Sequence, residues 1–167
     1  AVMIVLGVDP ATSKSGFAVI NDGELVLAEA FSRPSKMDIA LRIYEMKQRV
    51  AQLVEEWEPD LIVVEHVRFS KYARNLDAMV KVAWAMGAVV AELAPTPYEV
   101  LTVPANAVRK KFEVKDKSGL RGVVNRRFAD NLTQLGYAKG LLKSHEDISD
   151  AVGLAMVGPL LQKKKDA

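Results

Sequence analysis

The sequence predicts one α/β domain over residues 1–162, in which a five-stranded mixed sheet is flanked by helices, and a disordered basic tail at 163–167. Two apolar runs carry this prediction, because VMIVLGVD (2–9) and LIVVE (61–65) are typical of strands buried on both faces. Between them lie a hairpin signal and a helical pattern. Such a crossover makes the two runs parallel neighbours at the centre of the sheet.

An antiparallel meander of three strands is expected at the start of the chain. After the turn that follows the first run, FAVIN (17–21) and ELVLAEAF (24–31) both have the composition of strands. Asp22-Gly23 between them is a strong hairpin signal. The sheet is therefore expected to combine this three-strand meander with two parallel strands.

Helices and one further strand account for the rest of the chain. In the first helix Ser35 is the expected N-cap, Asp38 follows at the third helical position, and Pro59 marks the end. The remaining predicted elements are a long helix at about 70–93, a strand at 99–103, a short helix from Pro104, a helix at about 120–135 and a last helix at about 146–162.

The long helix at about 70–93 is apolar on nearly every side, which indicates that it is covered on more than one side. One face can pack on the sheet, and the other needs a partner. A second copy of the chain is the simplest partner. We therefore expect a homodimer that forms through the helix around residues 72–93.

The composition excludes several classes of protein. The 167 residues include no cysteine, which rules out disulfides and cysteine-ligated zinc and makes a cytoplasmic setting the expectation. No secretory signal is expected at the N-terminus. The longest apolar stretch, 78–93, contains Lys81 and Glu92 and is too short to span a bilayer.

Basic residues are concentrated in two segments, although the net charge of the chain is only +2. Residues 108–127 hold eight Lys and Arg against two acids, and residues 66–81 hold four against one, whereas residues 38–60 are acidic. Clustered positive charge is typical of a surface that binds a polyanion. Solvated helix faces give the same pattern, so charge alone leaves both interpretations open.

Two acids stand at the ends of the two apolar runs, Asp9 on the first and Glu65 on the second. If these strands are adjacent and parallel, both carboxylates emerge at the same edge of the sheet, about 5 Å apart. Carboxylates so close repel each other, and one stays protonated unless a divalent cation is bound. For either acid alone, capping the strand is the structural alternative.

Asp147 and Asp150 lie three residues apart at the start of the last helix, in the stretch SHEDISDAVG (144–153). Residues at this spacing share one face of a helix, and the apolar residues that follow turn the helix towards the sheet. Ser144 and Asp147 also fit a capping box, which is the structural alternative. Both roles are compatible, because Ser144 can cap the helix while Asp147 binds a metal.

The four acids together predict an all-oxygen metal site, made of Asp9, Glu65, Asp147 and Asp150. Carboxylate ligands without cysteine select Mg²⁺ or Mn²⁺. Two such ions about 3.5–4 Å apart activate water and stabilise the leaving oxygen in phosphodiester hydrolysis. His66 and His145 flank the four acids, and His145 is a candidate for proton transfer.

Three stretches of the chain resemble one known family. GVDPATSKSGFAVI is similar to the first-strand motif of RuvC-type Holliday-junction resolvases, VVEHVRF to their second-acid motif and HEDISDAVGLA to their C-terminal motif. The order and approximate spacing of all three agree, and the resemblance covers nearly the whole chain. The chain departs from the family at Ala11, where glycine is usual, and in its basic middle segment, so substrate preference stays open.

The resemblance implies an RNase H-like fold and a homodimer that nicks two symmetric strands of a four-way DNA junction. It implies that the four acids bind two Mg²⁺ ions, which Mn²⁺ can replace. It also implies that Phe69 inserts at the junction centre, with Arg68 as a substitute, and base–aromatic stacking worth about 1–3 kcal/mol per base is consistent with that role. The other residues expected to bind DNA are Lys71, Tyr72, Arg74, Lys110, Lys111, Lys115, Lys117 and Arg121.

Three other functions fit part of the pattern. A different RNase H-like nuclease, acting on RNA or on branched DNA as in the YqgF type, shares the glycine and aspartate of the first motif. An actin-like sugar kinase also has an aspartate-led phosphate loop, but it needs a second lobe and a second glycine-rich loop, which the sequence lacks. A DNA-binding module without catalysis tolerates the loss of all four acids.

Overall fold

The structure is a computed structural model, and it describes residues 3–68 and 74–162. Its strands are β1 (Ile4–Asp9), β2 (Lys14–Asn21), β3 (Glu24–Ser32), β4 (Leu61–His66) and β5 (Glu99–Pro104). They form one sheet in the order β3-β2-β1-β4-β5. β1, β2 and β3 make an antiparallel meander, while β4 runs parallel to both β1 and β5. The predicted mixed sheet and its parallel centre are confirmed.

The described residues also form six α-helices. These are α1 (Ile39–Trp57), α2 (Leu76–Leu93), α3 (Ala105–Lys111), α4 (Lys117–Arg127), α5 (Ala129–Gln134) and α6 (Glu146–Gln162), and a 3₁₀ turn at Lys143–His145 leads directly into α6. Across 3–68 and 74–162, no helix is long and apolar enough to cross a membrane.

The sheet lies between two hydrophobic cores because successive side chains of β1 and β4 point to opposite faces. On one face Val5 and Val63 pack with α6 and with the helices α3, α4 and α5. On the other face Leu6, Val8 and Ile62 pack with α1 and α2. Burying one such side chain contributes about 1.5–3 kcal/mol. The two central strands are thus covered on both faces, and only their ends reach the surface.

The start of α1 differs from the sequence prediction, in which Ser35 was the N-cap. The cap is Asp38, whose carboxylate accepts the backbone amide of Ala40 at 2.9 Å and that of Leu41 at 3.4 Å. Asp38 stands immediately before the apolar helical pattern that begins at Ile39, so its side chain reaches the first free amides of the helix. The prediction placed the cap three residues too early.

The helix predicted at 120–135 is two helices, which meet at Phe128. α4 begins earlier than expected because Asp116 accepts the backbone amide of Gly119 at 2.8 Å and caps it. Phe128 is buried and has φ −117° and ψ 30°, outside the helical range. Its place in the core breaks the helix there, and no proline or glycine marks the break in the sequence.

Two other helix starts were also predicted imperfectly. α2 begins at Leu76, where Asn75 caps it by accepting the amide of Ala78 at 3.0 Å, rather than at about residue 70. Ser144 lies inside the 3₁₀ turn and is therefore not at the cap position of α6. There His145 Nδ1 accepts the backbone amide of Leu142 at 3.0 Å.

Candidate active site at the carboxyl end of the central strands

Asp9 and Glu65 lie side by side at the ends of β1 and β4. The parallel register pairs Val8 with Val64, so the next residue on each strand is an acid at the same edge of the sheet. Asp9 is also opposite Gly16 on β2, and it is only 6% exposed. The predicted neighbouring position of the two strand-end acids is confirmed.

Helix α6 reaches this edge because glycines lie beneath it. A Cβ at Gly16 would overlap the carbonyl oxygen of Asp147, and a Cβ at Gly7 would overlap the carbonyl oxygen of Ala151. The missing side chains let the helix backbone rest directly on β1 and β2. The first turns of α6, which carry both aspartates, are thereby held against the acid-bearing ends of the strands.

Asp9 is the buried centre of this group of acids. Burial raises the pKa of Asp9 well above its usual range, and the charge of Glu65, together with a hydrogen bond shared with it, raises the pKa further. The charges of Asp150 and Asp147 act in the same direction. The other three predicted ligands are therefore close enough to influence the carboxyl group of Asp9, and without a cation that group retains its proton more readily than an ordinary aspartate.

Two lysines contact the aspartates of α6. Lys117, at the start of α4, lies 2.9 Å from Asp150 Oδ2. Lys14, at the start of β2, lies 3.8 Å from Asp147 Oδ2 and donates to the carbonyl oxygen of Ser144 at 2.6 Å. Both lysines bring positive charge to the edge of the sheet where the four acids lie.

The ion pair between Lys117 and Asp150 does not fully offset the unfavourable effect of burial on the charged form of Asp150. Burial lowers the pKa of Lys117, but the hydrogen bond and charge of Asp150 outweigh that effect and raise it. Burial raises the pKa of Asp150, and the opposing effect of Lys117 does not reverse this, since Glu65 and Asp147 add to the rise. Lys117 therefore offsets only part of the effect that burial and the neighbouring acids have on the pKa of Asp150.

The four acids do not enclose a single point. Within 3–68 and 74–162, no three acid or histidine side chains are gathered closely enough to hold one metal ion as they stand. Asp9 contacts Glu65, while Asp147 and Asp150 each contact a lysine. The donor set still suits a hard divalent cation, because it consists of carboxylate oxygens around a buried, mutually repelling centre. The predicted ligation by all four acids stays a prediction.

A cleft of about 440 Å³ opens beside Glu65, lined by the end of β4, by α2 and by α3, including His66, Arg68, Met79, Asn106 and Arg109. Arg109 also lines a smaller cavity that Glu65 shares with Asp150. Arg109 therefore lines both cavities that open beside Glu65. Neither Arg109 nor Lys14 was predicted from the sequence. In the case of Arg109, nothing local distinguishes it from its neighbours Lys110 and Lys111.

The segment expected to bind the junction centre is described only at its two ends. Arg68 and Arg74 are both exposed. The predictions for Phe69, Lys71 and Tyr72 fall on residues outside those that the structure describes.

The basic middle segment is placed on α3, α4 and the turn between them. Lys110, Lys111 and Lys115 are exposed, as a surface that binds phosphates requires. Arg121 is partly buried and lies 3.6 Å from Glu146 at the start of α6. Lys117 differs from the others because it contacts an acid of the candidate site. These DNA contacts stay predictions.

The two histidines occupy different environments. His145 Nδ1 is engaged by the amide of Leu142, and its ring meets Tyr137 edge-on at 5.2 Å between centroids. Proton transfer by His145 is therefore limited to Nε2. His66 lines the cleft beside Glu65.

A sheet of this order, with acids at the ends of β1 and β4 and on the last helix, defines a nuclease-like protein of the RNase H-like fold. The family model described as crossover junction endodeoxyribonuclease RuvC matches residues 5–157. A crossover junction endodeoxyribonuclease RuvC of Thermomicrobium roseum is 30% identical over 158 residues, which cover 92% of this chain and 91% of the relative. One of Vibrio cholerae is 23% identical over 159 residues, 92% of this chain and 84% of the relative. The chain belongs to the RuvC family.

Solved structures agree on the fold. RuvC of T. thermophilus in complex with a Holliday junction substrate has a TM-score of 0.78 at 21% identity, covering 99% of this chain and 98% of that one. The yeast mitochondrial Holliday junction resolvase Ydc2 has a TM-score of 0.61 at 13% identity, covering 90% and 75%. The RNase H-like fold and the family that the motifs predicted are both confirmed.

Proposed function

We propose that this chain is an endonuclease that resolves four-way (Holliday) DNA junctions by paired symmetric nicks. Its membership of a family of crossover junction endodeoxyribonucleases supports this proposal. The single observation that carries it is the juxtaposition of Asp9 and Glu65 at one sheet edge, against the helix that bears Asp147 and Asp150. That arrangement provides the carboxylate centre which metal-assisted phosphodiester hydrolysis uses.

In this proposal Asp9, Glu65, Asp147 and Asp150 hold two Mg²⁺ ions, and Mn²⁺ can replace them. When bound, such ions supply Lewis-acid activation of the attacking water and charge that stabilises the leaving oxygen. The chain contributes the pocket, in which burial and neighbouring negative charge raise the pKa of Asp9 and of Asp150 and so make their ionised forms less favourable until positive charge arrives.

Basic side chains beside the acids bind the scissile phosphate. Lys117 and Arg109 lie next to the carboxylates and offset the charge of the phosphate as it approaches. Lys14 holds the 3₁₀ turn that leads into α6 through the carbonyl of Ser144 and so keeps Asp147 at the sheet edge. Neither the compensation of phosphate charge nor the holding of this turn requires contact with the bases. This suits an enzyme that selects its substrate by shape.

The remaining basic residues position the arms of the junction. Phosphate contacts are assigned to Arg68, Lys71, Arg74, Lys110, Lys111, Lys115 and Arg121, stacking at the junction centre to Phe69, and a further DNA contact to Tyr72. Such contacts set orientation and make binding sensitive to salt. A DNA substrate and a sequence without cysteine both support a cytoplasmic location.

A homodimer through α2 supplies the second active site. Leu76, Val80 and Trp84 follow one another at helical spacing and form a stripe that is 63%, 38% and 55% exposed. Ala85, Val89 and Leu93 bury the other face of α2 against the sheet. A two-fold axis through the exposed stripe relates two equal sites, which matches paired nicks on a symmetric junction.

Incubation with a synthetic four-way junction, linear duplex DNA and RNA, with and without Mg²⁺, tests the proposal. We expect wild type to nick the junction only with Mg²⁺ or Mn²⁺ and Asp9→Asn to bind it without cutting. Asp130→Asn, on the exposed first turn of α5, is the control that keeps full activity.

Three results contradict the proposal. Full activity of Asp9→Asn contradicts the proposed metal site. Cleavage of RNA with intact junctions favours the RNA-processing alternative. Unchanged function after loss of all four acids indicates a DNA-binding module without catalysis.

A further inference from the structure

The turn between β1 and β2, residues 10–13, follows Asp9 directly, and Arg33 forms hydrogen bonds to it. Arg33 Nη2 donates to the carbonyl oxygen of Ala11 at 2.6 Å. The backbone amide of Arg33 donates to the carbonyl oxygen of Ser13 at 2.8 Å. A residue just beyond the end of β3 is thus bonded twice to the turn that leaves the proposed metal ligand.

Arg42, in the first turn of α1, reaches the same turn. Its Nη1 donates to Ser13 Oγ at 2.8 Å and makes a longer contact of 3.5 Å with the carbonyl oxygen of Thr12. Three successive carbonyl oxygens of the turn therefore face donors from the two arginines. Turns on a protein surface more commonly leave such groups to water.

Ser15 joins Arg33 to the turn from inside the protein. Its side chain is fully buried, and its Oγ accepts the amide of Ala11 at 3.1 Å and donates to the carbonyl of Ala11 at 3.0 Å. The same oxygen accepts Arg33 Nη2 at 3.0 Å. One donor and two acceptor positions are all that a serine hydroxyl offers, so Ser15 is fully used in fixing Ala11.

The burial of Arg33 is unfavourable for stability. Only 4% of the residue is exposed, and burial lowers the pKa of its guanidinium group to about 10. Its Nε and Nη1 donate to no residue in the described part of the chain. Arg49, by contrast, makes two hydrogen bonds to Glu29, at 2.7 and 3.0 Å. A buried cation that forms no ion pair within the described part of the chain keeps an uncompensated desolvation cost, which an apolar side chain does not carry.

We propose that Arg33 is a positioning residue for Asp9, acting through Ser15 and the turn 10–13. This inference rests on the proposed function, in which Asp9 binds metal. Asp9 is the last residue of β1. The turn that follows fixes the backbone on the C-terminal side of Asp9 and so restricts the position of its carboxylate. Arg33 therefore contributes to the geometry of the metal site more than to the stability of the fold.

Comparison of wild type with Arg33→Met, Arg33→Lys and the control Arg49→Met tests this role. Three readouts are needed: Mn²⁺ affinity by electron paramagnetic resonance, amide hydrogen exchange at Ala11 without metal, and the urea midpoint of unfolding. Loss of a direct hydrogen-bond partner of a metal ligand weakens metal binding by about 10- to 100-fold, so for Arg33→Met, which acts one step further out, we expect a loss at the lower end of that range, about 10-fold. Its exchange at Ala11 becomes faster while its urea midpoint is unchanged or higher.

The other variants separate positioning from stability. Arg33→Lys keeps a donor for the carbonyl of Ala11 and recovers part of the Mn²⁺ affinity. Arg49→Met loses its ion pair, so its urea midpoint falls while Mn²⁺ affinity stays at the wild-type value. If Arg33→Met does not fold, Ser15→Ala carries the same comparison, with faster exchange at Ala11 and weaker Mn²⁺ binding expected.

The failures of the two proposals are distinguishable. If wild type binds no Mn²⁺, the proposed function fails. If wild type binds Mn²⁺ and Arg33→Met binds it equally well with unaltered exchange at Ala11, only the positioning role fails. A lower urea midpoint for Arg33→Met at normal Mn²⁺ affinity also overturns it, because that is the signature of a purely structural residue.

Discussion

Gly16 touches two of the proposed metal ligands at once. It is opposite Asp9 in the antiparallel register of β1 and β2, and it lies directly beneath the carbonyl oxygen of Asp147. One residue without a side chain therefore sets the spacing between the sheet and the helix at the point where the acids meet. The atom that limits this spacing is backbone, which cannot rotate away as a side chain can.

Replacing Gly16 by alanine forces α6 away from β2. We expect about a 100-fold loss of junction cleavage, because catalytic groups displaced by about 1 Å lose rate on that scale. We also expect a loss of about 1–3 kcal/mol in the free energy of unfolding from overpacking. Cleavage assays and urea denaturation measure the two effects.

The matched control is Gly122→Ala within α4, where the added Cβ meets only the end of the Arg126 side chain at 3.4 Å. There alanine stabilises the helix by about 1 kcal/mol, since it loses less backbone entropy than glycine on folding. Normal cleavage by Gly16→Ala contradicts the role given to the close approach of α6.

Without metal, Asp9 makes the folded protein less stable as pH rises. Its folded pKa lies above the ordinary value of 3.8, so the folded state binds the proton more tightly than the unfolded state. Stability is therefore fully present below 3.8 and falls as pH rises through the folded pKa. In EDTA we expect Asp9→Asn to be more stable than wild type at pH 7 and to lose this advantage near pH 4.

Urea denaturation between pH 4 and 8 measures this difference. Adding Mg²⁺ stabilises wild type and leaves Asp9→Asn unchanged, because only a ligand that binds the folded state shifts its stability. A wild type that is the more stable of the two at pH 7 in EDTA is the result that rules out the destabilising role of Asp9.

Lys117 is predicted to act in catalysis, beyond its contribution to binding. Lys117→Met removes the cation 2.9 Å from Asp150 and beside the phosphate position, so we expect kcat to fall by about 100-fold with a smaller change in junction affinity. Lys47→Met is the control, since Lys47 makes an ion pair of the same 2.9 Å length with Glu92 between α1 and α2. Equal kcat values for the two variants contradict the assignment.

The exposed stripe of α2 is predicted to join two copies of the chain. Trp84→Glu places a charge in the middle of that stripe, and we expect the sedimenting species to change from dimer to monomer, with loss of paired nicks. Tyr44→Glu on α1 alters an aromatic residue of similar exposure and leaves the dimer intact. A monomeric wild type rules out this interface.

The sequence was sufficient for the sheet and for the neighbouring strand-end acids, because these depend on patterns that are local or nearly so. Unbroken apolar runs predicted β1 and β4, and the crossover between them predicted the parallel pairing that brings Asp9 beside Glu65. The spacing of Asp147 and Asp150 on one helix face was equally readable. Three ordered motifs then led to the family.

The contacts that the sequence did not reveal join residues that lie far apart in the chain. Lys14 bonds the carbonyl of Ser144, 130 residues away, and Lys117, which was predicted only to bind DNA, reaches Asp150 across 33 residues. Arg109 resembles its exposed basic neighbours in the sequence, and only the fold places it in the lining of a cavity with Glu65 and Asp150. The break at Phe128 likewise depends on the core that surrounds the side chain. Such features arise from tertiary packing, which composition and periodicity do not report.

The order of the acids along the chain has a consequence for protein synthesis. Asp9 and Glu65 emerge early from the ribosome, whereas Asp147 and Asp150 lie on the last described helix. A nascent chain that ends before α6 has only two of the four proposed metal ligands, and it lacks the helix that covers one face of β1 and β2. In the proposed metal site, which needs all four acids, an unfinished copy of the chain is therefore expected to leave DNA intact until the final helix docks.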